Sequence, residues 1–231
     1  MSQINTDECF LLHQRPYGET SIISEVFTKK NGKMSLIAKG AKKPKSKFFG
    51  YLVPFYKLKI TYSGRSELKT LTNIDRDLSD FNNTLSKKSY SLLYINELLI
   101  KLLPKDASHL ELFNLYEGFL EEVSKKKEIE IVLRHFELDL LDMLGYGLDY
   151  DNDIDNNNPI VPNAFYTFIS EKGFRESDKS GLSGEHIISI KNRNLEEVPR
   201  KSLKEITTKA IRFCLDGKEL SSREIFKSIK K

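Results

Sequence analysis

Eight lysines and no carboxylate fall between positions 29 and 47: Lys29, Lys30, Lys33, Lys39, Lys42, Lys43, Lys45 and Lys47. The chemistry open to such a run is electrostatic. Lysines set along a groove neutralise phosphates and release their counterions. Phe48, Phe49 and Tyr51 follow directly, with Tyr56 and Tyr62 beyond, and these rings cannot all turn inward. An exposed ring offers a base a stacking platform worth roughly 1–3 kcal/mol, with little sequence preference. Phe48, Phe49 and Tyr51 are therefore candidate stacking residues, and Arg65 and Lys69 extend the candidate basic surface. Arginine occurs in the first 80 residues only at Arg15, Arg65 and Arg76. Lysine is a point charge and arginine a planar fork, so this mix favours tracking of a backbone over reading of base edges. The competing explanation is a solvated basic loop with its aromatics in the core.

Other groups of residues carry less. Asp149, Asp151, Asp153 and Asp155 invite a calcium-loop reading. A frame starting at Asp151 puts Asn156 where glycine is wanted and Pro162 where the bidentate glutamate is needed, and one starting at Asp149 puts Ile154 and Ile160 there. A flexible Asn/Asp-rich loop is also a poor platform for two-metal hydrolysis. His13, His109, His135 and His186 show no metal-ligand spacing. Two cysteines, Cys9 and Cys214, are too few for a thiolate zinc site. They fit a reducing compartment better than a disulfide, and "MSQINTDECF" does not read as a secretory signal. "KGAKKPKSK" lacks the G-x-x-x-x-G-K-[ST] frame, and no G-x-S-x-G elbow occurs. The expectation is a non-enzymatic protein without catalytic residues, cofactor or metal.

The lysines sit among five short segments rich in β-branched and aromatic residues: "ECFLLHQRPY", "TSIISEVFTK", "GKMSLIAKG", "VPFYKLKITY" and "SELKTLTNI". Gly18, Gly32, Gly40 to Pro44 and Ser63-Gly64 punctuate them. In the fourth segment Tyr56, Leu58, Ile60 and Tyr62 alternate with Phe55, Lys57, Lys59 and Thr61, which predicts one core face and one wet face. Five strands in so short a length predict a small closed barrel, because closure removes exposed edges.

From about Ser79 the period becomes helical. "SYSLLYINELLIKLLP" places Leu92, Ile95, Leu98, Leu99 and Leu102 on one face, and Pro104 stops it. "SHLELFNLYEGFLEEV" carries Ser108 and Glu111 as a capping box. "KEIEIVLRHFELDLLDMLGYG" keeps Ile129, Val132, Phe136, Leu140, Met143 and Leu144 at helical spacing, with Gly145 as a left-handed cap. Three such helices on short links predict a bundle. "LDYDNDIDNNNPIVPN" reads as a loop and "AFYTFISEKGFRES" as a hairpin turning at Lys172-Gly173. "SLKEITTKAIRFCLDG" and "SSREIFKSI" read as closing helices capped by Ser202/Glu205 and Ser221/Glu224. The expected class is α+β multidomain: a five-stranded barrel over residues 1–78 and an α-helical domain over 79–231, with the loop and hairpin inserted at about 148–195.

The 231 residues carry a formal net charge of +4. Residues 1–80 hold fourteen Lys/Arg against eight Asp/Glu, whereas the other 151 hold 23 against 25. The whole excess therefore belongs to the barrel segment. No apolar stretch approaches the ~18 residues of a membrane span, so no membrane association is expected.

Several segments, in order, resemble the bacterial recombination mediator family RecO. They are "RPYGETSIISEVFTKKNGKMSLIAKGAKKPKSK", "YSGRSELKTLTNID", "YINELLIKLL", "LFNLYEGFL", "LRHFELDLLDMLGYGLD" and "LSSREIFKSIK". The likeness covers nearly the whole chain. It implies an N-terminal oligonucleotide-binding (OB) barrel, a helical domain and, in many members, a zinc-bearing segment. It further implies a protein that binds single- and double-stranded DNA and anneals complementary strands. With its partner RecR such a protein helps load RecA onto DNA coated by single-strand-binding protein (SSB), and it contacts the acidic C-terminal tail of SSB. One departure is plain: the segment that carries four zinc-binding cysteines in those members has none here, so zinc is not expected. The hairpin is expected to hold itself by packing Phe165, Phe168 and Phe174.

Arg134 and Glu137 interrupt an apolar helix, where they form an ion pair at i, i+3 or, for Arg134, anchor the SSB tail. The full reading is a cytoplasmic, nucleoid-associated DNA repair and recombination protein whose basic barrel surface lets two strands lose their mutual repulsion and pair. The alternatives are an RNA-binding barrel protein and a protein-interaction scaffold with an acidic partner.

Overall fold

The alternating segments close into a barrel in the computed structural model, which describes residues 4–76, 89–125, 128–178, 180–218 and 220–222. Strands β1 (Ile4–Tyr17), β2 (Ser21–Thr28), β3 (Gly32–Ala38), β4 (Lys57–Ser63) and β5 (Leu68–Arg76) follow the order β1-β2-β3-β5-β4. Strand β4 pairs back onto β1. All neighbours are antiparallel except β3 and β5, which run parallel. Leu58, Ile60 and Tyr62 point inward with Cys9, Leu11, Val26, Met34, Leu36, Leu71 and Ile74, while Lys57 and Lys59 stay wet, as the period of two requires.

Strand β1 carries a register shift between Leu11 and His13, which leaves Leu12 without a cross-strand partner. A bulge in a buried strand strands backbone carbonyls. Asn96 answers this: its Nδ2 donates to the carbonyls of Leu11 (3.3 Å) and Leu12 (3.0 Å), and the Tyr116 hydroxyl donates to its Oδ1. Asn96 and Tyr116 come from α1 (Ser89–Leu102) and α2 (Leu110–Ser124), which cover this side of the barrel. Phe10 and Phe27 face outward here. Phe10 meets Phe113 and Tyr116 at centroid distances of 5.3 and 5.1 Å, and Phe27 meets Phe113 at 5.5 Å. The buried stripe of α1 is Leu92, Ile95, Leu98 and Leu99, continued by Leu103 and not by the half-buried Leu102.

The link after α1 docks on the β2–β3 turn, where the Asp106 N–H donates to the Lys33 carbonyl at 2.9 Å. A Cβ on Gly32 would lie 1.8 Å from the Ala107 carbonyl oxygen, and its φ is +70°, so only glycine fits. Helix α2 starts at Leu110 with His109 at the cap and no side-chain cap bond. The Ser108/Glu111 box does not form, because Ser108 lies one residue too early to reach the third helical amide.

By internal contacts these elements and Leu220–Ser222 make one compact unit, and Lys127–Glu219 make a second. The second contains α3 (Ile129–Met143), β6 (Phe165–Ile169), β7 (Gly173–Ser177), β8 (Leu182–Ser183), α4 (Gly184–Lys191), a 3₁₀ turn at Leu195–Glu197 and α5 (Arg200–Cys214). Helix α3 packs on α5. It ends at Gly145 in the left-handed region, φ +80°. Met143 is exposed and Leu144 half-buried, so the apolar spacing outruns the buried face. Helix α5 begins two residues before Ser202, entered from Pro199. The Ser202/Glu205 box is therefore absent, and Glu205 pairs with Lys209 at 2.7 Å instead. Glu224 of the last expected box lies outside the described residues.

The hairpin β6–β7 gains β8 as a third strand, in the order β7-β6-β8. Phe168 and Phe174 pack as expected, at 5.4 Å, but Phe165 is 43% exposed. Alternation turns Phe165 to the outer face, and Tyr166 and Tyr150 fill the core in its place. The Asn/Asp-rich segment is ordered by Asp153, which is buried and accepts the N–H groups of Asp155, Asn156 and Asn158. Asp155 takes Arg175 through both oxygens, and Asp151 takes Lys191. Cys9 and Cys214 are both free thiols; burial pushes the Cys9 thiol up and that of Cys214 to about 11.

Candidate nucleic-acid interface

The connection from β3 to β4 carries Lys39, Lys42, Lys43, Lys45 and Lys47, all exposed. Its shape follows from what lies between the lysines. Ala41, Phe48 and Leu52 are buried in the barrel core and plug one end of it. Short turns join the plugs: Lys43 N–H to the Gly40 carbonyl (3.1 Å), Ser46 N–H to Lys43 (2.9 Å) and Phe49 N–H to Ser46 (3.1 Å). With the apolar residues pinned inward, the lysines are left in water. The Lys42 N–H donates to the Thr20 carbonyl and its Nζ to the Gly18 carbonyl, both at 2.9 Å, which fixes the loop against the β1–β2 turn. Among the described residues, Lys39, Lys43, Lys45 and Lys47 make no ion pair. Lys47 lies 5.4 Å over the Phe48 ring.

The rest of the lysine run is elsewhere. Lys29 and Lys30 sit at the β2–β3 turn, separated from the loop by the length of β2, about 23 Å at the rise of an extended strand. That end is acidic. Asp7 accepts the Lys30 N–H (3.2 Å) and the Asn31 amide (3.0 Å). Glu8 takes Lys29 at 2.9 Å and Lys57 at 3.5 Å, and Lys57 also reaches Glu117 at 2.6 Å. The hydrogen bond from Lys29 leads in holding the Glu8 carboxyl below its ordinary value, and that to Glu117 raises Lys57. Lys33 is buried, and its Nζ donates to the Ile100 carbonyl near the end of α1; burial lowers its pKa. Lys33 is thus a structural contact, because the outer side of β3 at this point is covered. Arg65 is exposed in the β4–β5 turn, at the end where β3 begins, and Lys69 donates to the Ser66 carbonyl at 3.1 Å.

Of the three candidate stacking rings, Phe48 is core and Tyr51 is partly buried against the same cluster. Phe49 alone stands free, 59% exposed. Arg134 is buried: its Nη1 donates to the Thr207 hydroxyl at 2.6 Å and lies 2.9 Å from Glu137. The expected i, i+3 pair with Glu137 therefore forms, and only 8% of the Arg134 side chain is left in water.

Two residues missed by the sequence reading join the loop: Arg15 and Tyr17, exposed at the end of β1 beside the same turn. Their signal was present in "RPYG", where Pro16 and Gly18 mark a hairpin tip. Within residues 14–20 and 39–52, which the Lys42 contacts bring together, six cations, Arg15 included, stand against one acid, Glu19. The arrangement suits a polyanion held by backbone charge. Among the described residues no three His, Cys, Asp or Glu side chains come together to hold a metal, and no helix is long and apolar enough to cross a membrane.

Comparison with known proteins agrees over both segments. The family model "Recombination protein O N terminal" matches residues 1–76, and "Recombination protein O C terminal" matches residues 86–224. The DNA repair protein RecO of Pseudoalteromonas atlantica is 36% identical over 222 residues, covering 94% of this chain and 92% of the relative. That of Photobacterium profundum is 36% identical over 225 residues, covering 94% of each. The RecO of Methylococcus capsulatus is 32% identical over 231 residues, covering 98% of this chain and 95% of the relative. With a closed barrel of this strand order at one end, a helical region at the other and such coverage, the chain belongs to the RecO family.

Proposed function

We propose that this chain is a non-enzymatic mediator of DNA repair and recombination. It binds single- and double-stranded DNA on the lysine-loop end of its barrel and anneals complementary strands. With RecR it assists loading of RecA onto SSB-coated single strands, and it contacts the acidic SSB tail through the helical region. It works in the cytoplasm, at the nucleoid. The observation that carries the reading is the set of four exposed lysines, none ion-paired among the described residues, joined by Lys42 and Arg15 on one end of the barrel. Two strands held there are screened from each other by the same ammonium groups, so pairing needs no covalent step.

The test is annealing of SSB-coated complementary oligonucleotides, with and without RecR. The wild-type chain accelerates annealing, and RecR with RecA present yields recombinase filaments. Joint replacement of Lys42, Lys43, Lys45 and Lys47 by Glu abolishes annealing. It also flattens the dependence of log affinity for single strands on log salt by about 3, at roughly 0.7 per phosphate contact. Annealing that survives this change places the site elsewhere. Competition by matched RNA separates the RNA-binding alternative.

A further inference from the structure

Strand β1 outruns its pairing with β4. It pairs with β4 only as far as Phe10, then continues to Tyr17 paired with β2, which β3 backs as far as Ile22. Among the described residues no strand pairs with the other edge of β1 beyond Phe10. Its tip is Tyr17-Gly18-Glu19-Thr20, with Gly18 at φ +55° making the turn. Arg15 and Tyr17, two apart on a strand, share a face. Tyr17 keeps half its surface, 50%, in water, although its ring could bury apolar area elsewhere. The tip is held in register with the lysine loop by the Thr20 and Gly18 carbonyls, which take the Lys42 N–H and Nζ. So an exposed ring is fixed beside the cations of the loop, with Glu19 as the acid of the tip.

Resting on the polyanion reading above, we propose that Tyr17 is a base-stacking residue of this surface and gives it preference for unpaired over paired bases. The complementary ligand is negative along its backbone and offers a flat π-face, which is an unpaired nucleotide. Bases inside a duplex are covered by their neighbours and present phosphates only. The lysines then serve both forms of DNA, while the ring adds affinity for single strands alone.

Fluorescence anisotropy on three labelled probes tests this: an oligo-dT, the same backbone with abasic sites, and a duplex. Tyr17→Ala weakens oligo-dT binding by roughly 5- to 140-fold. It leaves abasic and duplex affinities and the salt slope unchanged, and Tyr17→Phe restores oligo-dT binding. The proposal is overturned if Tyr17→Ala leaves oligo-dT affinity intact, or if it weakens the abasic probe equally. A different failure, wild-type protein that does not bind the abasic backbone in a salt-dependent way, would remove the polyanion reading itself and with it the role of the ring.

Discussion

Asn96 and Lys33 show what single residues decide. Asn96 supplies two donors to a bulge whose carbonyls are sealed from water, and Tyr116 fixes which way its amide points. Replacing it by Leu leaves those acceptors and the Tyr116 hydroxyl without their partner, at about 1–3 kcal/mol for each buried group. We expect Asn96→Leu to lower unfolding stability by about 3 kcal/mol, measured as a shifted urea midpoint at unchanged slope. Lys33 makes the opposite point. Its neighbours in the sequence are surface cations, yet it is a buried donor to a helix carbonyl. Lys33→Met should leave the salt slope of DNA binding unchanged while destabilising the fold, whereas Lys43→Met should cut the slope by about 0.7 with stability intact. Composition could not separate the two lysines. Which outer face of a barrel a helix covers is a tertiary fact, absent from the alternation of "GKMSLIA".

At the scale of elements, the strands and the main helical stripes were legible because period two and period 3.6 are set by local geometry. Helix starts were not: neither the Ser108 nor the Ser202 box forms, because caps depend on where packing begins the helix. The sequence also could not show how the Asn/Asp-rich segment holds together without cysteines. The answer is Asp153, whose carboxyl is held below its ordinary value of 3.8 mainly by the Asn156 N–H, with those of Asn158 and Asp155 adding to it. A depressed folded-state pKa adds stability that is present above the ordinary value and fades as pH falls through the folded one. Hydrogen exchange at Asn156 and Asn158 should therefore be slow at neutral pH and lose protection below about pH 4. Asp153→Ala should abolish that protection at every pH and expose the 150–160 segment to proteolysis. Added chelator should change neither property in the wild type.

For the whole molecule, the chain leaves the first unit after α2 and returns to it at Leu220, so the second unit is an insertion. Leu220 is buried, and Glu97 of α1 grips the return: Oε1 accepts the Ser221 N–H at 3.0 Å, and Oε2 accepts the Ser222 N–H at 2.9 Å and its hydroxyl at 2.6 Å. Lys101 adds an ion pair at 3.4 Å. Burial works to raise the Glu97 pKa, but the bonds from Ser222, Ser221 and Lys101 outweigh it and the net shift is downward. The clasp thus contributes above the ordinary carboxylate range and is lost as pH drops through the folded pKa. Charge-assisted bonds of this kind are worth roughly 1.5 kcal/mol when partly exposed. Removing residues 220–231 should therefore lower the melting temperature of the barrel unit, although every deleted residue lies far from the barrel in sequence. Glu97→Gln should lower it at pH 7 and bring it toward the wild type near pH 4. Thermal unfolding across that range, followed by a probe in the barrel, distinguishes a clasp from a loose tail: a tail would leave both curves superimposed.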